Sequence, residues 1–354
     1  PGIPIEFRVD GLGILFALVA SSLWILTTLY SVGYMRGLKE HDQTRFFAYF
    51  AISLSATIGV AFAGNLLTLY IFYEILSLST YPLVIHHGDK EARTGGRTYL
   101  SHLLGTSVAF VLPAMIYCYW KSGTEINFTE GAFLDGKIGS SDGLIVLLAF
   151  TLGFAKSGLM PFHSWLPNAM VAPTPVSALL HAVAVVKVGV FCILRIFTGV
   201  FDTDFLQKLD VGTVITYIAA FTIIVSSLIA LTQDNLKRRL AFSTIGQLAY
   251  IVLGVSFLSS NGVTGSVMHI AMHAFGKITL FFCAGAIFVA SGKKYISQMV
   301  GLGKQMPITM IAFLIGSLSI IGLPPFGGAW SKWYLFLGAL DAEQTAMAVV
   351  LVIS

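Results

Sequence analysis

Apolar residues run in blocks of about 20 along the whole chain, the length that crosses a bilayer core as a helix. Each block ends at a short cluster of charged, glycine or proline residues. The blocks fall at 10–33, 46–63, 66–86, 98–119, 144–170, 176–199, 212–232, 240–259, 263–290, 308–340 and 345 to the end. They are too long for strands and lack period-two alternation. Helices, which satisfy their own backbone polar groups in lipid, are therefore the elements they predict. The expected fold is an all-α polytopic membrane protein with about 11 spans.

Composition agrees. Of 354 residues 56% are hydrophobic and 11% charged, with mean hydropathy +0.83. A soluble domain carries about 25% charged residues, so soluble-enzyme readings are excluded. The chain begins at Pro1 and its last segment, Met347 to Ser354, stops inside an apolar run. It therefore reads as a fragment of a longer frame, and no signal peptide is legible. Cys118, Cys192 and Cys283 stand singly, without CxxC spacing, so neither a disulfide framework nor a cluster site is indicated. No GxGxxG follows a strand and no GxxxxGK[ST] occurs, so no nucleotide site is visible; nucleic acid is not an expected partner.

The placement of charge gives an orientation. Twelve of the 21 Lys and Arg lie in alternate loops: Arg36, Lys39, Arg45, Lys90, Arg93, Arg97, Lys237, Arg238, Arg239, Lys293, Lys294 and Lys304. Four lie on the other side: Arg8, Lys121, Lys137 and Lys208. This bias places 34–45, 87–97, 233–239 and 291–307 in the cytoplasm. Acids collect opposite, including Glu125, Glu130, Asp135, Asp142, Asp202, Asp204 and Asp210, as does the sequon Asn127-Phe-Thr129. Arg195, near the outer end of its helix, is placed to snorkel.

Lys156, Lys187, Lys277 and Lys332 remain, inside apolar helices, with Glu74 as the only acid so placed. At roughly 2.5–3.5 kcal/mol each, four buried lysines cost on the order of 10 kcal/mol, which points to function; snorkelling and helix packing are the structural alternatives. Two spans are broken, in FAKSGLMPFHSWLPNAMVAPTP and IGLPPFGGAWSKWYLF, with Lys156 just before the first break and Lys332 just after the second. Each break falls in the fourth helix of a five-helix block. This predicts one membrane domain: a span and loop (1–45), a first repeat (46–199) and a second, inverted repeat (212–354, truncated).

Histidines accompany the lysines. His269, His273 and Lys277 recur at i, i+4, i+8, one stripe about 12 Å long and a candidate proton relay. Hydrogen bonding between helices is the bland alternative, and no third ligand makes the HxxxH pair a metal site. His181 lies six residues from Lys187 and so on another face; His163 sits in the first break. His86, His87 and His102, at helix ends, and His41, in a loop, are expected to be solvated.

The runs FAKSGLMPFHSWLPNAMVAPTPVSALLHAVAVVKVGVF, LTQDNLKRRLAFSTIGQLAYI, HIAMHAFGKITLFFCAGAI and GLPPFGGAWSKWYLF resemble the antiporter-like membrane subunits shared by respiratory complex I, Mrp-type cation/proton antiporters and membrane-bound hydrogenases. The likeness extends from about Val9 to Leu340. It implies a glutamate–lysine pair at Glu74 and Lys156, a central lysine at Lys187, a second-half lysine at Lys277 and a terminal charge at Lys332. Some members place a glutamate there, so Lys332 sets the chain apart from that complex I subunit. Asn168 departs from the aspartate that many relatives carry after WLP. The resemblance implies a proton-translocating subunit of a complex I-like NADH:quinone oxidoreductase, in a bacterial or archaeal cytoplasmic membrane. It implies other membrane subunits as partners, no cofactor in this chain, and any flavin, iron–sulfur cluster or quinone in partner subunits. An Mrp-type Na⁺(K⁺)/H⁺ antiporter subunit is the alternative. A stand-alone solute transporter and a membrane subunit of an inorganic-carbon uptake complex are further ones.

Overall fold

A computed structural model describes residues 3–123, 127–128, 133–134 and 136–354; Glu125, Glu130, Asp135 and the sequon's Thr129 lie outside them. The first three crossings are α1 (Gly11–Gly37), α2 (Gln43–Ala61) and α3 (Leu66–Val84). Asp10 and Asn65 cap α1 and α3 by accepting the Gly13 and Thr68 N–H groups. The next crossing starts earlier than its apolar block, at Lys90, because its polar first turns are capped by Asp89. It runs from α4 (Lys90–Thr106) through a π segment into α5 (Leu112–Ser122).

After α6 (Ser140–Gly153), residues 154–173 fold into short turns around α7 (Trp165–Asn168), which is the first break. The following crossing joins α8 (Thr174–Ala178) to α9 (Val185–Arg195) through a π segment, Leu179–Val183, and a second π segment, Ile196–Val200, prolongs it. A short helix, α10 (Thr203–Leu209), precedes three uninterrupted crossings: α11 (Gly212–Thr232), α12 (Leu236–Ser256) and α13 (Ser260–Ser291). The chain ends through α14 (Leu302–Gln305), α15 (Pro307–Ile321), α16 (Gly327–Asp341) and α17 (Thr345–Ile353). Among the described residues, eight helices are long and apolar enough to span a membrane, and the shorter apolar α6 and α15 begin the two broken crossings.

Helices α15 and α16 are one crossing. Glycines on both sides let them pack closely along α13: Gly316 faces Leu280, Ile320 faces Gly276, Met272 faces Gly327, Leu335 faces Gly265 and Gly338 faces Gly262. As one position rises the other falls, so the broken helix runs antiparallel to α13 over its whole length. The break itself is a turn opened by Gly322 at φ +89°.

The basic loops meet at one end of the bundle. Tyr34, Glu40, His87, Asp89, Asn168, Thr174, Lys237, Lys293 and Lys294 line one cavity there. The loops at 233–239 and 291–307 are tied by Asp234 accepting from both the N–H and the hydroxyl of Ser297. At the other end, the backbone pairs Phe7 with Ala63 and Asn65 with Asn127. Helix α6 therefore runs toward the basic end and α15 away from it.

Residues 174–200 are buried throughout except Thr198, while α1, α11 and α15 turn Leu18, Leu29, Phe221, Leu231, Ile308 and Leu314 outward. Such an apolar exterior suits lipid or neighbouring subunits. Arg195 does not snorkel. It is buried, flanked by the rings of Phe128 and Phe191, and donates from both terminal nitrogens to the two Asp10 oxygens. A local carboxylate offers its fork two parallel bonds, which reaching to the interface would forgo.

Candidate functional site

Lys156 stands in the turn that follows α6 and is fully buried. Its Nζ donates to the Tyr73 carbonyl (2.8 Å) and the Ser77 hydroxyl (2.6 Å), and lies 3.1 Å from the Tyr73 ring centroid. Glu74 does not form an ion pair with it, since both Glu74 oxygens are buried without a hydrogen-bond partner. The cause is helical phase. Tyr73 and Ser77 form an i, i+4 ridge facing Lys156, and Glu74 projects about 100° away from Tyr73. Glu74 is thus the α3 neighbour of the Tyr73 that Lys156 contacts, and makes no hydrogen bond with Lys156 itself.

The break packs on α9 at Gly189, where a Cβ would lie 2.1 Å from the Ser157 nitrogen. Two residues earlier, Lys187 is fully buried and its Nζ lies 2.6 Å from His273 Nδ1 on α13. An ammonium there donates to Nδ1, which sets His273 in the tautomer protonated on Nε2; Nε2 is buried with no partner. The His273 and His269 rings stack with centroids 5.9 Å apart. His269 places Nδ1 at 2.8 Å from the Ser331 hydroxyl and Nε2 at 3.1 Å from Gln247 Oε1, the amide orientation being assigned from this network. Next to Ser331, Lys332 donates to the Ile321 carbonyl (3.1 Å) at the end of α15, where the helix dipole is negative, and lies 4.8 Å from the Tyr250 ring centroid.

A second branch points to the basic end. Lys277 donates to the Ser243 hydroxyl (2.7 Å) and approaches the Leu240 carbonyl (3.4 Å), one turn from His273 on the cavity side. Ala284 lines the cavity of about 610 Å³. Seven residues of helix separate it from Lys277, so the amine's level is about 10 Å below the cavity. His181 lies between, in the π segment, with both ring nitrogens buried and unpartnered and its ring 4.7 Å from that of Phe281. A π turn is a common distortion at functional sites, and no Gly or Pro within the segment announces it.

The structure therefore gathers Lys187, His273 and His269 into one buried string, with half-buried Lys332 beside Ser331 at its far end and Lys277 and His181 leading toward the basic end. His163 is not part of it: it lies in the first break with Nδ1 unpartnered, its nearest aromatic neighbour Phe242 at 6.4 Å. Nearby, Ser164 meets His102 Nε2 at 2.8 Å, so His102 is anchored rather than merely solvated. Buried His86 also departs from the solvated expectation. Sequence reasoning missed Ser77, Ser243, Gln247, Tyr250 and Ser331. Gln247, a lone amide in an apolar helix, was the one legible signal, since hydroxyls are common in membrane helices and mark nothing by themselves.

A family model described as "NADH:quinone oxidoreductase/Mrp antiporter, TM" matches residues 63–354, and one described as "NADH-Ubiquinone oxidoreductase (complex I), chain 5 N-terminus" matches 2–47. The chain is 36% identical to NADH-quinone oxidoreductase subunit N of Desulforudis audaxviator over 99% of its length and 70% of the relative. It is 34% identical to NAD(P)H-quinone oxidoreductase chain 5 of Synechocystis sp. over 92% of its length, and there spans about half (49%) of the relative. Among solved structures, a chain of an archaeal respiratory complex, the membrane-bound sulfane sulfur reductase, superposes with TM-score 0.90 at 27% identity, covering 100% of this chain and 71% of that one. A chain of the Mrp complex from Dietzia sp. gives 0.84 at 27% identity, covering 100% and 65%. With its helices, its two breaks and its lysine string, the chain belongs to the antiporter-like membrane subunit family shared by NADH:quinone oxidoreductase and the Mrp antiporters.

Proposed function

We propose that the chain is the proton-translocating subunit of a complex I-like NADH:quinone oxidoreductase, working among other membrane subunits in a bacterial or archaeal cytoplasmic membrane. Flavin, clusters and quinone belong to its partners in this reading. The observation that carries it is the buried Lys187–His273 contact at 2.6 Å, with the His269 ring stacked next to His273 and hydrogen-bonded to Ser331, the neighbour of Lys332. A proton arriving on Lys187 passes to His273 Nδ1. The imidazolium then releases its other proton from Nε2 through water toward His269, which accepts on Nδ1 beside Ser331. Lys332 receives it at the second break.

Access from the cytoplasm runs from the basic-end cavity past His181 to Lys277 and Lys187. Glu74 and Lys156 act on the first half: the Lys156 turn packs against the Lys187 helix at Gly189, and Glu74 is the membrane-embedded acid next to the Tyr73 that Lys156 contacts. The two blocks 46–199 and 212–354 work as inverted halves, supported by the opposite directions of α6 and α15. The Mrp reading, with Na⁺ or K⁺ as the exchanged cation, has its own support in the superposition on the Dietzia complex.

The test is proton uptake by the complete assembly in vesicles. Lys187→Ala and His273→Ala are expected to abolish NADH-driven pumping while assembly, checked separately, is retained. Wild-type pumping by either variant would refute the string. Pumping that needs a Na⁺ or K⁺ gradient and ignores NADH would transfer the chain to the Mrp reading.

A further inference from the structure

The loop between α1 and α2 and the residues just past α3 form a histidine cluster that the proton string does not use. Ligand atoms of Glu40, His41 and His86 lie within 4.8 Å of one another, on segments some 45 residues apart in sequence. His86 is 2% exposed, and its Nε2 is buried with no hydrogen-bond partner, 3.7 Å from Glu40 Oε2. An imidazole nitrogen left without a partner beside a carboxylate forgoes a favourable contact at each end.

That gap has the dimensions of a metal bond pair. Two ligands at roughly 2.0–2.2 Å from a tetrahedral zinc stand about 3.3–3.5 Å apart, so closing 3.7 Å takes a few tenths of an ångström. His87 Nε2, at 3.3 Å from Glu40 Oε1, holds the other oxygen and orients the carboxylate. His41 Nδ1 lies 3.2 Å from Asp42 Oδ2, a contact that fixes a tautomer with the lone pair on Nε2. Asp42 also meets Arg45 at 3.0 Å, which lessens that cation's repulsion of a metal.

The His41 and His86 rings stack at 4.7 Å and 7°. In-plane lone pairs of parallel rings do not converge, so coordination requires His41 to turn out of the stack, which its 54% exposed side chain permits.

We infer that Glu40, His41 and His86 form a binding site for a divalent transition metal of the zinc class, clamping the α1–α2 loop to the end of α3. Water completes the coordination. Glu40 and His87 also line the basic-end cavity, so the clamp sits on its rim. The site stands on its own geometry, independent of the proton string.

The test is calorimetric titration of the full subunit in detergent with Zn²⁺, alongside visible absorption with Co²⁺. The expected result is one metal per chain at micromolar affinity, a four-coordinate Co²⁺ spectrum, and affinity weakened at least about tenfold by Glu40→Gln, His41→Ala and His86→Ala. His41→Ala removes an exposed ring and leaves the core intact, so it reads the site even if His86→Ala unfolds the protein. Wild-type binding weaker than millimolar, or His41→Ala and Glu40→Gln binding as tightly as wild type, would overturn the site.

Discussion

At the scale of single residues, the charge of the partner separates structural buried cations from working ones. Arg195 and Lys187 are both buried cations, but Arg195 has both Asp10 oxygens while Lys187 has one neutral imidazole. The first is a fixed pair, and the second can exchange a proton. Burial raises the Asp10 pKa, but the Arg195 bond, the Gly13 N–H and the charges of Arg195 and Arg8 outweigh it and leave it below the ordinary 3.8. The ionised carboxylate is thus the form the fold favours. The stability it contributes is complete above 3.8 and is lost as pH falls through the depressed value. Asp10→Asn is expected to lower the heat-denaturation midpoint at pH 7, by roughly 1–3 kcal/mol equivalent, because Arg195 is left buried with a weaker partner. Its difference from wild type should shrink on acidification below pH 4. A constant difference down to pH 2 would assign the loss to packing.

The lysines were legible at this scale because a charge in lipid is expensive wherever it occurs. Their contacts were not. The sequence puts Lys277 on the His269–His273 stripe and invites a route through it, whereas the structure sets Lys187 against His273 and turns Lys277 to Ser243. Helix phase within α13 is readable from one sequence; the rotation of α9 and α12 against it is decided by packing.

At the scale of elements, prolines and glycines announced the breaks, and the structure shows what holds them. The first is pinned where Gly189 meets the Ser157 nitrogen at what would be 2.1 Å from a Cβ. Gly189→Ala must push the Lys156 turn away, at a cost of roughly 1–3 kcal/mol for overpacking. Gly105→Ala, in α4 with nothing within 4 Å, is expected to be neutral or stabilising by up to about 1 kcal/mol. Denaturation midpoints of the two variants in one detergent check the contrast. Equal midpoints would mean that the turn relaxes freely and does not fix Lys156. The π segment at Leu179–Val183 was not legible, because nothing in LLHAV breaks a helix; only the surrounding packing distorts it.

At the scale of the whole molecule, the charge asymmetry was the most informative property of the sequence. The loops it placed together do line one cavity, and Asn168, the departure from the aspartate of many relatives, is exposed on its wall. This geometry makes a directional prediction. The native cysteines are all buried, so an introduced one can be read against a quiet background. Asn168→Cys should react with a membrane-impermeant maleimide only from the side of the basic loops, and Asp204→Cys, on α10 at the opposite end, only from the other. His181→Cys tests depth. It lies more than one helical turn beyond Thr174 at the cavity wall, about 10 Å in, and is reached only if water extends from the cavity into the space around the unpartnered ring. The expected outcome is slow labelling by a small cationic thiosulfonate, from the basic side alone, in the assembled complex. Labelling from the opposite side would place the aqueous access at the other end of the bundle. No labelling of His181→Cys alongside rapid labelling of Asn168→Cys would confine the water to the cavity and remove His181 from the path.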